Sequence, residues 1–517
     1  MADILGERAR LTPQKEALVV VETGLRLTYQ ELDARAARCA RLWTESLGLQ
    51  KGDRVGILAH NRVEYLEAFF AAGKTGIILV TLGTRLTPPE LEHSVRDSGM
   101  KALLYDGALG DTVDGLRKLV EVEHWVAFDT PRADGDHAYA TLTAALPDDP
   151  AWCPTPCDGE DVYCLLYTSG TTGRPKGVMI PHRMVLANGY NTVCGWQLQA
   201  DDRSPIFTPL YHAGGLMAFL VPIVVIGGTV VLHHGFDAGQ IWRTIQDEGC
   251  TVALGVPTIW KMLSEAPEFA DVDLGKIRWM ISGGAPLPHY LIEAYRAKGV
   301  VLKQGFGMTE VGVNCFSMTV DEATTKAGSI GKPLMHTAVR LVDADGVDVA
   351  EGEVGEMLFR GAHVCKGYWN NPEATDSALD ADGWFHSGDQ GRRDADGFYY
   401  VAGRQKDMII SGGVNIYPAE IESVLVQHPA VEDVAVVAIP NEQWGEVGVA
   451  FVLTRNDERL DTTTLTEFLG ERLARFKIPK EFQFLDDLPR TAYGKVVKGD
   501  LRDSYLASQT HGPGDSP

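Results

Sequence analysis

The stretch Leu165 to Val185 reads LLYTSGTTGRPKGVMIPHRMV and gathers hydroxyls, glycines and one lysine between two apolar runs. Thr168, Ser169, Thr171 and Thr172 offer hydroxyl donors, while Gly170, Gly173 and Gly177 let backbone N–H groups approach a ligand. Lys176 adds a point charge. Together they could cradle phosphate oxygens. The spacing is not that of a Walker loop: counted from Gly170, Pro175 stands where the second glycine belongs and Gly177 where the hydroxyl belongs. Composition alone equally allows a solvated Ser/Thr/Gly turn, so the decision rests on other stretches.

These follow along the chain: PLYH at Pro209 to His212, SGGAPL at Ser282 to Leu287, GFGMTE at Gly305 to Glu310 and WFHSGD at Trp384 to Asp389. GRQKDMIISGGVNIYPAEIE starts at Gly403, and PRTAYGK starts at Pro489. With YTSGTTGRPKGV they resemble the signature series of the adenylate-forming superfamily, which comprises acyl-CoA synthetases, peptide-synthetase adenylation domains and luciferases. Each stretch is a weak motif by itself, but so many in one order make chance agreement negligible.

The resemblance implies two half-reactions. A carboxylate attacks the α-phosphorus of ATP to give acyl-AMP and pyrophosphate, and the thiol of coenzyme A then displaces AMP. Two anions meet in the first step, so positive charge must sit where charge accumulates. Lys495 matches the family's lysine between the substrate carboxylate and the α-phosphate. Thr309 matches an α-phosphate donor, and Glu310, with Thr172, matches the Mg2+ contacts. Asp389 resembles the carboxylate that accepts both ribose hydroxyls, and Arg404 an arginine that reaches ribose and phosphate. The loop residues Thr168 to Gly173 and Lys176 are expected at the phosphates. Gly283, Gly284, Ala285, Gly305, Phe306, Gly307 and Met308 are expected around adenine, with Phe306 standing where the family more often has tyrosine. Lys406 matches the pivot, Gly412 and Gly413 the pantetheine tunnel, and His212 a gate between tunnel and acyl pocket.

The acyl pocket is expected at Tyr211, Ala213, Gly214, Met217, Gly305 and Val313. Neither AGGLMAF after His212 nor GFGMTEVGVNC from Gly305 contains Arg or Lys. A second carboxylate on the substrate would be buried without a partner, which disfavours diacids. Small residues at 213–215 favour an acid larger than acetate, and Asn314 could meet a ring hydroxyl or simply satisfy backbone. The expected reaction is that of an ATP-dependent acyl-CoA ligase acting on a medium- or long-chain fatty acid. An aryl or hydroxycinnamate ligase is the alternative, and an adenylate-only, luciferase-like enzyme or a non-catalytic acyl-adenylate sensor the readings of another class. No carrier attachment site follows Lys495, which points to free coenzyme A.

Elements must hold these residues. ALVVVE and RVGILAH read as strands, and LTYQELDARAARCARLW and LTPPELEHSV as helices opened by capping boxes at Thr28/Glu31 and Thr87/Glu90. That alternation predicts an α/β fold with parallel sheets. Past about residue 325 the strands shorten and turn dipeptides multiply, as an antiparallel sheet or barrel would require. The fold implied is a large N-terminal domain over residues 1–403, made of two β/α subdomains and a small distorted β-barrel. A hinge at 404–407, a mobile α+β domain at 408–508 and a disordered tail at 509–517 complete it.

Composition bounds the rest. The chain has 517 residues, 45% of them apolar, which suits a multidomain globular protein. Its 47 Lys+Arg against 70 Asp+Glu leave a formal charge of -23, which argues against nucleic acid or an anionic membrane as partner. The eight cysteines are scattered and read as reduced thiols, and MADILGERAR lacks the apolar centre of an export signal, so a cytoplasmic location is expected. A homodimer is compatible with these features. The uncharged run Ala213 to Leu232 is about as long as a membrane span, but its Pro222 and its Gly227-Gly228 break, followed by the β-branched TVVL, read better as buried helix, turn and buried strand.

Overall fold

The computed structural model describes residues 3–146, 152–168, 174–411, 414–455, 460–490 and 496–510. Short β-branched runs form the parallel strands that their length and composition predict. Arg54–Leu58 lies between Ile78–Thr81 and Ala102–Tyr105, and the sheet extends to His124–Ala127 and His137–Ala138 on one side. On the other it reaches Val162–Thr168, which pairs antiparallel with Lys176–Pro181. The helices between begin where expected. Thr28 N donates to Glu31 Oε2 at 2.8 Å ahead of helix Tyr29–Arg41, and Thr87 N donates to Glu90 Oε2 at 2.7 Å ahead of helix Pro88–Ser98.

A second sheet orders Arg203–Ile206, Thr229–Leu232, Glu16–Val20 and Leu25–Thr28. It leads on to a parallel set, Val252–Gly255, Trp279–Ser282 and Leu302–Gln304, because Thr251 N donates to Arg203 O at 2.9 Å and Arg278 N to Thr251 O at 2.7 Å. The run from Ala213 stays inside the protein: π-helical turns at Gly214–Leu220 pass into helix Val221–Ile226, and Gly227, at φ +81°, turns the chain into strand Thr229–Leu232. This is the buried helix, turn and buried strand expected, with Pro222 in the first turn of the α-helical part, where a missing N–H is tolerated. No described helix is long and apolar enough to cross a membrane.

Past residue 325 the chain folds as an antiparallel meander of Ala338–Val342, Val354–Arg360, Phe385–Arg393 and Tyr399–Arg404. The ribbon Phe316–Ser317 with Lys332–Pro333 joins it through the pairing of Gly331 with Tyr399. One apolar interior links Leu5, Leu220 and Phe359, so the β/α sheets and the meander share a core. After Arg404 a single 3-10 turn, Gln405–Asp407, leads into a separate unit. There Val431–Asn441 and Gly445–Thr454 pair antiparallel, Glu481–Leu485 runs parallel to the latter, and Ile409, Ile421 and Leu465 belong to a core of its own. Helix Lys498–Thr510 runs two residues past 508, into the segment expected to be tail. All eight cysteines are free thiols, as expected.

Candidate active site

Two loops leave the carboxyl ends of neighbouring parallel strands, where open α/β sheets place their ligands. SGGAPL follows Trp279–Ser282 and GFGMTE follows Leu302–Gln304, whose last residues are in register. Gly305 N donates to Ser282 O at 2.8 Å and Leu287 N to Gln304 Oε1 at 3.1 Å, so each loop is tied to its neighbour's strand. Gly284 adopts φ +80°, and Gly284 and Ala285 are exposed, leaving an uncovered backbone surface. Phe306 is half-buried. One face stacks on Phe359 at 5.8 Å and 12°, and Phe316 meets it edge-on, so the ring plane is fixed by the core. Gly307 is demanded by a crossing of the chain: a Cβ there would lie 2.3 Å from the Val313 carbonyl group. Met308 N closes this crossing on Gly312 O at 3.1 Å, and Thr309 beside it is half-buried.

Glu310 is buried, and its backbone carbonyl accepts from Cys365 N at 2.7 Å. Tyr368 OH donates to its Oε1 at 3.2 Å. Burial pushes the Glu310 carboxyl above its usual range, and Arg404 opposes that shift while Asp389 adds to it. Asp389 and Arg404 face each other across paired strands, with Arg404 Nε 2.8 Å from Asp389 Oδ1. A bulge aims the aspartate: between the pairs Leu358/His386 and Glu356/Gln390, three residues oppose one. Gly388 takes φ +69° in that bulge, its N–H donates to Glu356 Oε1 at 2.9 Å, and Ser387 Oγ receives Asp389 N at 3.0 Å. Glu310, Tyr368, Asp389 and Arg404 thus form one electrostatic group beside the first turn of the link to the C-terminal unit.

The glycine-rich hairpin is pinned from below. Thr168 pairs with Lys176 and Tyr167 with Gly177, and Trp369 N donates to Gly177 O at 2.7 Å. Gly177 is lost as a ligand-facing position, because a Cβ on it would lie 3.0 Å from the Tyr167 ring, which covers it. Lys176 Nζ sits 5.1 Å from the centre of the Tyr368 ring, which brings the hairpin to the Glu310 group. Ser169, Gly170, Thr171, Thr172, Gly173, Gly412, Gly413 and Lys495 lie outside the described residues. Arg490 and Val496, which flank the Lys495 segment, pair with each other, and Lys406 is exposed in the 3-10 turn.

In the expected acyl pocket, Met217 is fully buried, Tyr211 and Ala213 are nearly so, and Val313 is partly buried against the same core. Gly214 borders open space, whereas a Cβ on Gly215 would lie 2.2 Å from Pro209 O, so only the first of these glycines leaves volume. Burial pulls the His212 imidazole down to about 3, so the ring is neutral at physiological pH. Asn314 does not await a ring hydroxyl with its amide: Nδ2 donates to Thr192 Oγ1 at 3.0 Å and to Ala218 O at 2.9 Å. Sequence reading missed Tyr368 and Asn188. Asn188 Nδ2 donates to Met217 O at 2.7 Å, while its buried Oδ1 has no hydrogen-bond partner among the described residues. Neither residue carries a local signal, because the partners of each are distant in sequence.

Comparison with known proteins matches this architecture at both ends. A family model described as AMP-binding enzyme covers residues 5–369, and one described as AMP-binding enzyme C-terminal domain covers 420–495. Feruloyl-CoA synthase of Amycolatopsis sp. is 40% identical over 96% of this chain and 97% of its own. Long-chain-fatty-acid–CoA ligase FadD13 of Mycobacterium tuberculosis is 37% identical over 98% of each. Among solved structures, o-succinylbenzoate CoA synthetase (MenE) from Bacillus subtilis, in complex with its acyl-adenylate intermediate, superimposes with a TM-score of 0.85. It is 32% identical and covers 97% of this chain and 98% of that one.

Proposed function

Since the chain belongs to the AMP-binding enzyme family and is an AMP-forming carboxylate–CoA ligase, we propose that its site adenylates a monocarboxylic acid with an uncharged body, a medium- or long-chain fatty acid. The observation that carries this reading is the convergence of Asp389, Arg404, Glu310 and Tyr368 at the ends of the two strand-borne loops. ATP, coenzyme A and a carboxylic acid are its substrates.

Asp389 would accept the ribose hydroxyls, with Arg404 fixing the carboxylate's orientation across the strand pair. Phe306 and the bare backbone at Gly283 to Ala285 would hold adenine between them, and Thr168 to Gly173 with Lys176 would hold the phosphates. A carboxylate oxygen of the acid attacks the α-phosphorus, the bond to the β-phosphate oxygen breaks, and pyrophosphate leaves. Lys495 and Thr309 would bear the charge that builds on the α-phosphoryl oxygens. Glu310 fits a Mg2+ contact: its buried carboxylate accepts from Tyr368 OH and from its own backbone N–H, both neutral donors, which leaves lone pairs for a hard cation. Such an ion, held with Thr172, would neutralise phosphate charge. Rotation about 404–407 would then withdraw Lys495 and bring Gly412 and Gly413 to the thiol's path. The thiolate attacks the acyl carbon and AMP departs with the oxygen that came from the acid.

A fatty acid is supported by the lack of Arg and Lys in the two segments expected to line the acyl pocket and by the likeness to the mycobacterial ligase. A hydroxycinnamate is the second reading, supported by the likeness to feruloyl-CoA synthase and by Asn188 Oδ1, an acceptor with no partner among the described residues and suited to a phenolic hydroxyl. Incubation with ATP, Mg2+ and a panel of both acid classes, with and without coenzyme A, separates them. Acid-dependent pyrophosphate release in both settings, with thioester only when coenzyme A is present, is expected; release with hydroxycinnamates alone would replace the fatty-acid reading by the second.

A further inference from the structure

At the carboxyl ends of strands from both large sheets lies a cluster that the reaction does not use. His60 follows Arg54–Leu58, Asp106 follows Ala102–Tyr105, and His234 follows Thr229–Leu232. One ligand atom from each of the three lies within 4.8 Å of the others. We propose that His60, Asp106 and His234 form a binding site for a divalent transition-metal ion that clips the two β/α sheets together.

The contacts say which nitrogen of each imidazole can serve. His60 Nδ1 is 2.9 Å from Asp106 Oδ2, and His234 Nδ1 is 3.2 Å from Asn61 O. The first separation is that of two ligands of one ion, which would take the place of the proton between them, and the second turns His234 Nδ1 to a carbonyl, the usual support of a histidine that binds metal through Nε2. The rings stand 5.0 Å apart and 36° from parallel. Metal–nitrogen bonds of roughly 2.0–2.1 Å require ligand atoms about 3–3.5 Å apart, so the site closes by a modest turn of the exposed His234 ring.

Charge favours a cation. Asp106 is buried, and its Oδ1 accepts from Ala108 N at 3.0 Å. Arg62 Nη1 lies 3.6 Å from Asp106 Oδ1, but the same guanidinium is shared with Glu64 at 2.7 Å and Asp129 at 3.0 Å. Glu22 Oε1 accepts from His234 N at 2.8 Å. Three carboxylates therefore share one guanidinium, and Glu22 adds a further carboxylate beside His234. Two imidazoles with one carboxylate suit zinc, nickel, cobalt or copper and not magnesium or calcium, which prefer all-oxygen shells. The adjoining Asn61 joins the same sheets, donating to Thr208 O at 3.0 Å and receiving Leu210 N at 2.8 Å, so an ion here would reinforce an existing clasp.

The test uses the full-length protein stripped with chelator and titrated with Co2+ and Zn2+. One ion per chain should bind, with visible Co2+ absorption and a higher unfolding midpoint in Zn2+. His60→Ala and His234→Ala should each weaken binding by at least ~10-fold, while His289→Ala, an exposed histidine elsewhere, should not. Circular dichroism in chelator should be alike for all variants, which separates lost ligands from lost folding. No saturable binding below about 100 µM, or binding undiminished in both variants, would overturn the site without touching the ligase reading.

Discussion

A carboxylate can reach a phosphate-bound phosphorus only where positive charge already waits, and Lys495 is assigned that task. Lys495→Ala should slow acid-dependent pyrophosphate release by at least ~10²-fold, while thioester formation from supplied acyl-AMP largely survives; equal losses in both assays would remove the assignment. As the proposed gate, His212 would work by shape, since burial lowers its pKa to about 3 and keeps the ring neutral throughout the working range. It should therefore leave no inflection in the rate profile between pH 5 and 8. His182 makes burial measurable in stability. Its ring is fully buried, with no hydrogen-bond partner among the described residues, and burial lowers its pKa from 6.5 to about 4. Between those values the unfolded chain binds the proton and the folded one does not, so stability rises with pH and is lost on acidification. His182→Gln should flatten the pH dependence of unfolding free energy over that window by up to about 3 kcal/mol, read from urea titrations. An unaltered slope would mean that the ring is not held neutral.

At the scale of elements, the site depends on irregularities in otherwise regular structure. The bulge at Ser387 to Asp389 turns a strand residue into a site residue, and Gly388 permits it at φ +69°. Gly388→Ala adds strain of about 1–2 kcal/mol and should cut kcat/KM for adenylation by roughly tenfold or more with only a small fall in Tm. Unchanged kcat/KM would show that the bulge does not aim Asp389. Such devices were hard to read from sequence. The capping boxes at Thr28/Glu31 and Thr87/Glu90 were legible because their partners sit three residues apart. HSGD reads as a turn, and its bulge exists only through pairing with Val354–Arg360. Tyr368 was missed because Glu310 is 58 residues away, and the two readings of Asn314 stayed open because Thr192 and Ala218 are 122 and 96 residues away. Gly177 looked like ligand-facing backbone until Tyr167 was found over it. Motif order, by contrast, conveyed the family and the reaction class, since it needs no knowledge of contacts.

At the scale of the whole molecule, the proposed alternation needs two units that stay together and still move. The C-terminal unit touches the large one through Lys261 with Glu432 and through Arg455, whose guanidinium lies 5.1 Å from the centre of the Tyr290 ring. These contacts are partly exposed, and surface pairs of this kind cost little to break. The link offers few restraints, with Lys406 exposed in one 3-10 turn. Lys406→Pro, by stiffening that turn, should spare pyrophosphate release and slow thioester formation; a full thioester rate would remove the hinge assignment. Whatever the motion of the C-terminal unit, the proposed two-step reaction leaves the acid's own oxygen in AMP. A fatty acid labelled with 18O in its carboxylate, turned over with ATP and coenzyme A, should leave one label in the phosphoryl group of AMP and none in pyrophosphate, by mass spectrometry. Unlabelled AMP, or label in inorganic phosphate beside ADP, would contradict activation through an acyl adenylate.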